Sequence, residues 1–458
     1  MFGNVEGWVF SVVLVVAVWI SLLLRSGPTA ALGATMVLSF LFPVWPKIVV
    51  SGIPINVRTT VAVMNLLFFT LNPRRFHPRG KILRPLTLLD FCVALICVTH
   101  IVSDSFTTGF SLVLPLRAYG EWVLPYVAGR YAVSSRADLK GIATWVVGGL
   151  LFLGLMSCFE SLTNINPFEL IFGTRPTELA PRNAARWGLK RAFGPTTHSI
   201  FFGMMITVLM PWLACLWQSF ESRRTRGLAV LVGVFALAGT ALTGSRTPIL
   251  TVLASSILVL ALRMRILRWP LGISLGLAIS FFAAFPNEVT TKVSEWTGGV
   301  EKDRLIEVDG RAVITSSSRT RIHVFRVYSE ALIKAGPFGY GSDVTSGFPL
   351  RIPNMEGAFK SANLFKAVDN GYILLTLRFG WVGGIFLVIL FLTAIGTGFS
   401  LYSSEQDKLF PGAVACTLVV VACFSLLLVF MHYDFGFPLL WTFGILSGLA
   451  SLRTSERS

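Results

Sequence analysis

Charge is what this sequence has least of. Only 14% of its 458 residues are Asp, Glu, Lys or Arg, against roughly 25% in a soluble domain. So few charges cannot cover a water-facing surface of this size. That excludes the string of soluble domains the length alone would suggest, and it excludes disorder. Acid is scarcer still. There are 23 Asp and Glu against 39 Lys and Arg, a net charge of +16. In a soluble chain such a balance would suggest nucleic acid. In a chain this apolar it points to anionic headgroups, to the basic bias of cytoplasmic loops, or to an anionic substrate such as a lipid-linked phosphate. No nucleic-acid partner is expected. Cysteine is sparse. Cys92, Cys97, Cys215, Cys416 and Cys423 lie inside apolar runs and Cys158 at the edge of one, so they read as small core residues rather than disulfide partners. The sequence has no HExxH, no CxxC and no His pair at i, i+4. It also has no P-loop and no GxGxxG opening a helix, and no nucleophile elbow is apparent. These absences argue against a zinc protease, an ATP-driven pump and a serine hydrolase. Neither metal nor cofactor is expected.

What is there is apolar length. Hydrophobic residues make up 54% of the chain, and the mean hydropathy is +0.71. A membrane span takes ~20 mostly apolar residues. Such runs fall near 8–24, 29–43, 59–73, 86–103, 111–128, 141–159, 197–217, 227–244, 247–263, 268–285, 369–397, 410–431 and 434–452. The fold expected is an all-α, polytopic inner-membrane bundle of about 12–13 spans with one large external loop. The first run has no basic flank and no small-residue cleavage site, and reads as a retained helix. Four basic connectors set the orientation: Arg74, Arg75, Arg79, Lys81 and Arg84; then Arg130, Arg136 and Lys140; then Arg223, Arg224 and Arg226; then Arg263, Arg265 and Arg268. With thirteen spans all four share a side, which is the cytoplasm by the positive-inside rule. The N-terminus is then outside and the C-terminus inside. Two long connectors, near 160–196 and 286–368, fall outside, and loops of that length are usually functional.

Polar chemistry gathers on the external side. His100, His198, His323 and His432 map there, with Asp104, Glu160, Asp369 and Asp434, while His77 sits in a cytoplasmic connector. The plain reading is that helix ends are where polar residues belong. Arginines recur there too: Arg186 and Arg191; Arg246 in a tight break between two spans; Arg319, Arg321 and Arg326 in the long loop; and Arg378 after Asp369-Asn370. Arginine near hydrocarbon usually has a partner or a function. Its planar fork suits phosphate oxygens. Interfacial snorkelling remains open for Arg246, and a solvated loop position for Arg321 and Arg326. Arg117 and Glu121, four apart in one span, fit a structural ion pair. Gly339-Tyr340-Gly341 reads as a turn after Pro337.

Five stretches, in this order, resemble the O-antigen ligase and polymerase superfamily of bacterial envelope glycosyltransferases. They are FESLTNINPFELIFG at 159–173, RAFGPTTHSIFFG at 191–203, LTGSRTPIL at 242–250, SSRTRIHVFRVYSEALIKAGPFGYG at 317–341 and DNGYILLTLRFGWVGGIFL at 369–387. The resemblance covers roughly 140–400. It divides the chain into N-terminal transmembrane helices (1–139), a ligase/polymerase-like core with the external loop 286–368 (140–400), and C-terminal helices (401–458). It implies a GT-C-like bundle, a metal-independent transfer outside the inner membrane, and a donor glycan on undecaprenyl pyrophosphate. Arg191, Arg246 and Arg321 match the family's arginines and would hold the pyrophosphate, with Arg186, Glu160, Asn370 and Tyr372 in support. The acceptor hydroxyl needs a general base. Ligases carry His just before the Asn of their HNxYL-like motif; here that position is Asp369. It could act as the base, or only cap the next helix, in which case His198 or His323 would be the base. The missing His favours a polymerase of lipid-linked repeat units over a ligase that moves finished glycan to a lipid A core or protein. A transporter is a third reading, disfavoured by the absence of a repeat. Membrane lipids, a flippase and a chain-length regulator are the expected partners. The long loop is expected to hold short amphipathic helices, the three arginines to share one cavity, and that cavity to open sideways to lipid.

Overall fold

The computed structural model describes residues 4–50, 53–71, 85–133, 135–175, 185–219, 223–285, 288, 292, 304–308, 311–315, 328–344, 370–404, 409–425 and 433–457. Each of the thirteen apolar runs overlaps a helix or a contiguous helical stretch among the described residues. In chain order these are α1 (Asn4–Ser26), α2 (Pro28–Leu41), α3 (Val57–Leu71) and α4 (Leu88–Thr108). Next come α5 (Val113–Ala118) and α6 (Leu124–Ala132), joined by a π-turn at Tyr119–Val123, and then α7 (Arg136–Thr163). After a short α8 (Pro167–Phe172) follow α9 (Ser199–Leu209) with α10 (Pro211–Ser219), α11 (Arg223–Leu242), α12 (Arg246–Arg263) and α13 (Arg268–Ala284). The long loop contributes α14 (328–334) and α15 (Gly341–Val344), and α16 (Gly371–Ser404), α17 (Leu409–Phe424) and α18 (Tyr433–Arg457) follow. Among the described residues, eight helices are long and apolar enough to cross a bilayer, while 30–41, 57–68 and 409–424 are shorter. The protein is an all-α, multi-pass membrane protein.

Lipid exposure explains the surface. Leu228, Val230, Leu231, Val234 and Leu237 of α11 all stand exposed, as they do on a helix facing acyl chains. Inside, contact is made by small residues. A Cβ on Gly129 would meet the Trp441 carbonyl, one on Gly444 the Tyr126 carbonyl, and one on Gly448 the Arg130 carbonyl. Glycine therefore lets α6 and α18 touch backbone to backbone, the usual solution where no hydrophobic drive separates helix from lipid. Trp212 and Trp441 stack beside this seam with centroids 5.4 Å apart.

Helix ends that the alternating count assigns to one side do meet. At one end Arg130 pairs with Asp90 at 2.7 Å and donates to the Pro85 carbonyl, and Arg453 reaches Ser400. At the other end lie α8, the start of α9, the α11–α12 turn, α14, α15 and the start of α16.

Three features depart from the sequence reading. A π-turn falls across the stretch from Arg117 to Glu121, and the Glu121 carboxylate comes to 3.8 Å from His100 Nδ1, a contact the spacing did not indicate. The long loop holds a hairpin as well as a helix: β5 (Arg304–Val308) pairs antiparallel with β6 (Arg311–Thr315), Val308 opposite Arg311. The two residues between are Asp309-Gly310, a hairpin signal amid β-branched residues. Two earlier hairpins, β1 (Lys47–Val50) with β2 (Ile53–Asn56) and β3 (Ala185–Arg186) with β4 (Leu189–Lys190), are also closed by two residues. Residues 335–338 form a turn just ahead of Gly339-Tyr340-Gly341, where one was expected; Gly339 and Gly341 have φ 72 and 78, and Gly341 opens α15.

Candidate functional site

The β3–β4 hairpin turns at Trp187 and Gly188, both with positive φ (54 and 76), which matches a type I′ turn. It projects Arg186 and Lys190 from adjacent strands and leads straight to Arg191. The chain then runs against the turn between α11 and α12, where the Ala192 N–H donates to the Leu242 carbonyl at 2.9 Å. Arg191 Nε donates to the Thr243 carbonyl (2.9 Å) and its Nη2 to Ser245 Oγ (2.7 Å). Arg186 Nη1 donates to the Gly244 carbonyl (2.6 Å). The fit needs Gly244. Its φ is 59, and a Cβ there would lie 3.0 Å from Arg191 Cγ and 3.2 Å from Arg186 Cβ.

Two helix N-termini converge here. His198 caps α9 and Ser245 caps α12, and the hydroxyls of Ser199 and Ser245 are 3.4 Å apart. A helix N-terminus carries a partial positive charge. Arg246 is the first residue of α12. Among the described residues no carboxylate pairs with Arg186 or Arg191. Burial and the neighbouring Arg186 push the Arg191 guanidinium down to about 10, and burial also lowers Arg186. Both remain charged at neutral pH. An uncompensated double positive charge at two helix N-termini is an anion-binding arrangement.

A buried carboxylate fixes this shape from behind. Glu160, near the end of α7, is 1% exposed. Its Oε2 accepts the Phe193 and Gly194 N–H groups, both at 2.9 Å, and its Oε1 accepts Asn166 Nδ2 at 2.9 Å. Asn166 meanwhile caps α8 through the Phe168 and Glu169 N–H groups. Arg175 lies over the Phe193 ring, 3.4 Å from its centroid, and 3.3 Å from a Glu169 oxygen. Asn166, Ser199, Ser245 and Arg175 were not singled out in the sequence, although Ser245 before Arg246 was a legible N-cap.

The structure thus brings Arg186, Arg191 and Glu160 together, with Arg246 in the adjoining turn. Asp369, His323 and Arg321 lie outside the described residues, as do Arg319, Arg326, His77 and His432. Two expectations change. The cap of α16 is Asn370: its Oδ1 accepts the Ile373 N–H at 3.0 Å and it is 1% exposed. The helix begins one residue too late for Asp369 to hold that position. His198 Nδ1 accepts the Ile200 N–H at 3.0 Å. A backbone N–H only donates, so in the neutral ring the proton sits on Nε2, which makes the other nitrogen a donor rather than a base. Tyr372 donates to the Ala422 carbonyl at 3.0 Å and ties α16 to α17.

No curated protein matches the chain. Residues 231–388, roughly a third of its length, match the O-antigen ligase family model. The match spans most of α11, the Gly244–Arg246 turn, the long loop and the first half of α16, and leaves Arg186, Arg191 and Glu160 outside it. Over that stretch the chain is similar to the O-antigen ligase family.

Proposed function

We propose that the chain polymerises oligosaccharide repeat units carried on undecaprenyl pyrophosphate into a surface polysaccharide or exopolysaccharide, at the periplasmic face of the inner membrane. The observation that carries this reading is the Arg186–Arg191 pair, without a carboxylate partner among the described residues, set where α9 and α12 begin. Breaking a glycosyl–pyrophosphate bond develops negative charge on the leaving oxygen. Fixed positive charge at that point lowers the barrier without reorganisation. Arg186 and Arg191 keep N–H groups beyond those that grip the α11–α12 turn, and those groups would engage the diphosphate. Arg246 and Arg321 complete the cationic set.

Asp369 is the proposed base that takes the proton of the acceptor hydroxyl. With Asn370 capping α16, a carboxylate at 369 is not needed to start the helix. His198, with its outer nitrogen protonated, suits hydrogen-bond donation to the leaving group. His323 stands as the second candidate base. The donor tail stays in the bilayer. A groove of about 650 Å³ supports a sideways route for it, lined by Tyr372, Thr376, Trp381, Ile385, Val388 and Cys423 between α16 and α17. The core of the reading is residues 140–400, with 1–139 and 401–458 as flanking helices. A flippase would supply the donor and a chain-length regulator would limit the product.

The test uses a strain lacking this protein, complemented with wild type or with Asp369→Ala, and sizes the lipid-linked and surface glycans. Single repeat units in the deletion support a polymerase. Full-length polymer stranded on the carrier would overturn it in favour of a ligase. Full rescue by Asp369→Ala would remove Asp369 as the base.

A further inference from the structure

Away from the arginine site, α16 is broken. Gly380 has φ 70 and ψ −171 within the helix. A break at membrane depth exposes backbone groups, which is tolerated only where protein refills the gap. Residues 336–342, the return limb of the external loop, refill it. The Trp381 N–H donates to the Gly336 carbonyl (3.0 Å), Val382 N–H to Pro337 (3.3 Å), and Tyr340 N–H to the Leu377 carbonyl (2.8 Å). A Cβ on Gly380 would overlap the Pro337 carbonyl, and one on Gly339 the Arg378 carbonyl. The limb and the broken helix meet backbone to backbone.

A buried polar clamp holds the limb from the α4 side. Asp104 Oδ1 accepts the Ser342 N–H at 2.7 Å, and Oδ2 lies 3.1 Å from His100 Nε2. Ser342 Oγ is 3.0 Å from the same nitrogen. Trp122 Nε1 donates to His100 Nδ1 at 3.1 Å. The indole only donates, so the ring proton sits on Nε2, between Asp104 and Ser342. Ser103 Oγ donates to the Arg378 carbonyl at 2.6 Å, and Phe106 stacks on Phe338 at 5.2 Å. His100 and Asp104 are 1% and 3% exposed at their side chains.

Apolar packing would hold these helices at least as well. Buried polar sets are weak sources of net stability, and their best-attested use is to select one register. Here the register selected is that of the loop on α16. The ten residues from Asn370 to Phe379 rise only ~15 Å as helix, so the seat at Gly380 sets where Asn370, and Asp369 before it, stand.

We infer that Asp104, through its bond to Ser342 and its pairing with His100, seats the return limb of the external loop and is a positioning residue for the transfer site. The positioning half rests on the function proposed above; the seating half does not.

The test has two arms on full-length protein in nanodiscs. Hydrogen exchange of peptides spanning 336–344 needs no substrate. Losing a hydrogen bond to a charged acceptor is worth about 10- to 100-fold in local opening. Asp104→Ala is expected to raise exchange there by about that factor, with peptides of the α6–α18 seam unchanged. Asp104→Asn, which keeps a carbonyl oxygen for the Ser342 N–H, is expected to restore most of the protection. Ser342→Ala, which keeps the amide, serves should Asp104→Ala fail to fold, and should show a smaller rise. Unchanged exchange in Asp104→Ala, or in Ser342→Ala where that variant stands in, overturns the seat. The second arm measures turnover of lipid-linked glycan. Asp104→Ala should lower kcat about tenfold, leave binding of the polyprenyl pyrophosphate within twofold (~), and be rescued by Asp104→Asn. Raised exchange with unchanged kcat overturns the positioning role. No transfer by wild type overturns the proposed function, and the exchange arm still decides the seat.

Discussion

Arg191 is used twice over. Two of its donor groups hold the Thr243 carbonyl and Ser245, so the same side chain builds the turn and supplies charge to it. Lysine cannot do both, because its ammonium is a point charge on a flexible stem. Arg191→Lys is therefore expected to fail nearly as badly as Arg191→Ala, with transfer down about 100-fold at matched protein level in a glycan-sizing assay. Retained transfer in the Lys variant would show that charge alone suffices. Glu160 carries the opposite balance, a carboxylate that accepts three N–H groups. Glu160→Gln turns an NH2 toward those donors and should cost about 1–3 kcal/mol, read as a lower unfolding temperature; an unchanged temperature would mean the loop re-satisfies itself. At this scale the sequence was informative where charge met a motif. Glu160, Arg186 and Arg191 stood out by type and place. What it could not show was which residue caps which helix, because Asp369 and Asn370 are both good caps and the choice depends on where α16 starts.

At the scale of elements, the α11–α12 turn is the part most exposed to a single substitution. Gly244→Ala places a methyl against Arg186 and Arg191 at a left-handed φ. The backbone strain is about 1–2 kcal/mol, yet the displacement falls on both guanidinium groups. Transfer should fall more than tenfold while thermal stability falls modestly; equal losses of both would argue that the turn is only structural. The helices were legible because apolar runs of span length leave few alternatives. The β3–β4 hairpin was not, since strands of two residues carry no periodic signal. The π-turn and the Gly380 break escaped for a different reason: each is settled by a partner distant in sequence, His100 with Trp122 in one case and residues 336–342 in the other.

For the whole molecule, two consequences follow from how the bundle is closed. The α6–α18 seam lies at Gly129, Gly444 and Gly448, none of which touches Arg186 or Arg191. Gly444→Val should overlap the Tyr126 carbonyl and reduce the yield of monodisperse protein in size-exclusion chromatography without any selective effect on transfer; a folded but inactive variant would contradict this. Orientation rests on the basic connectors. A cysteine at the exposed Trp187 should react with an impermeant thiol reagent in intact spheroplasts, and one at Thr454 only after permeabilisation. The reverse pattern would invert the sidedness of the site. The clustering of basic residues is what suggests the orientation, and the labelling decides it.

The central claim is that Arg186 and Arg191, at the N-termini of α9 and α12, hold the diphosphate of a polyprenyl donor. Binding of a polyprenyl pyrophosphate to the purified protein in nanodiscs, wild type against Arg191→Ala, tests it most directly. Loss of a charge-assisted contact is expected to weaken binding about 10- to 100-fold, with the corresponding monophosphate bound more weakly by wild type. Equal affinity of wild type and Arg191→Ala for the pyrophosphate would contradict the account.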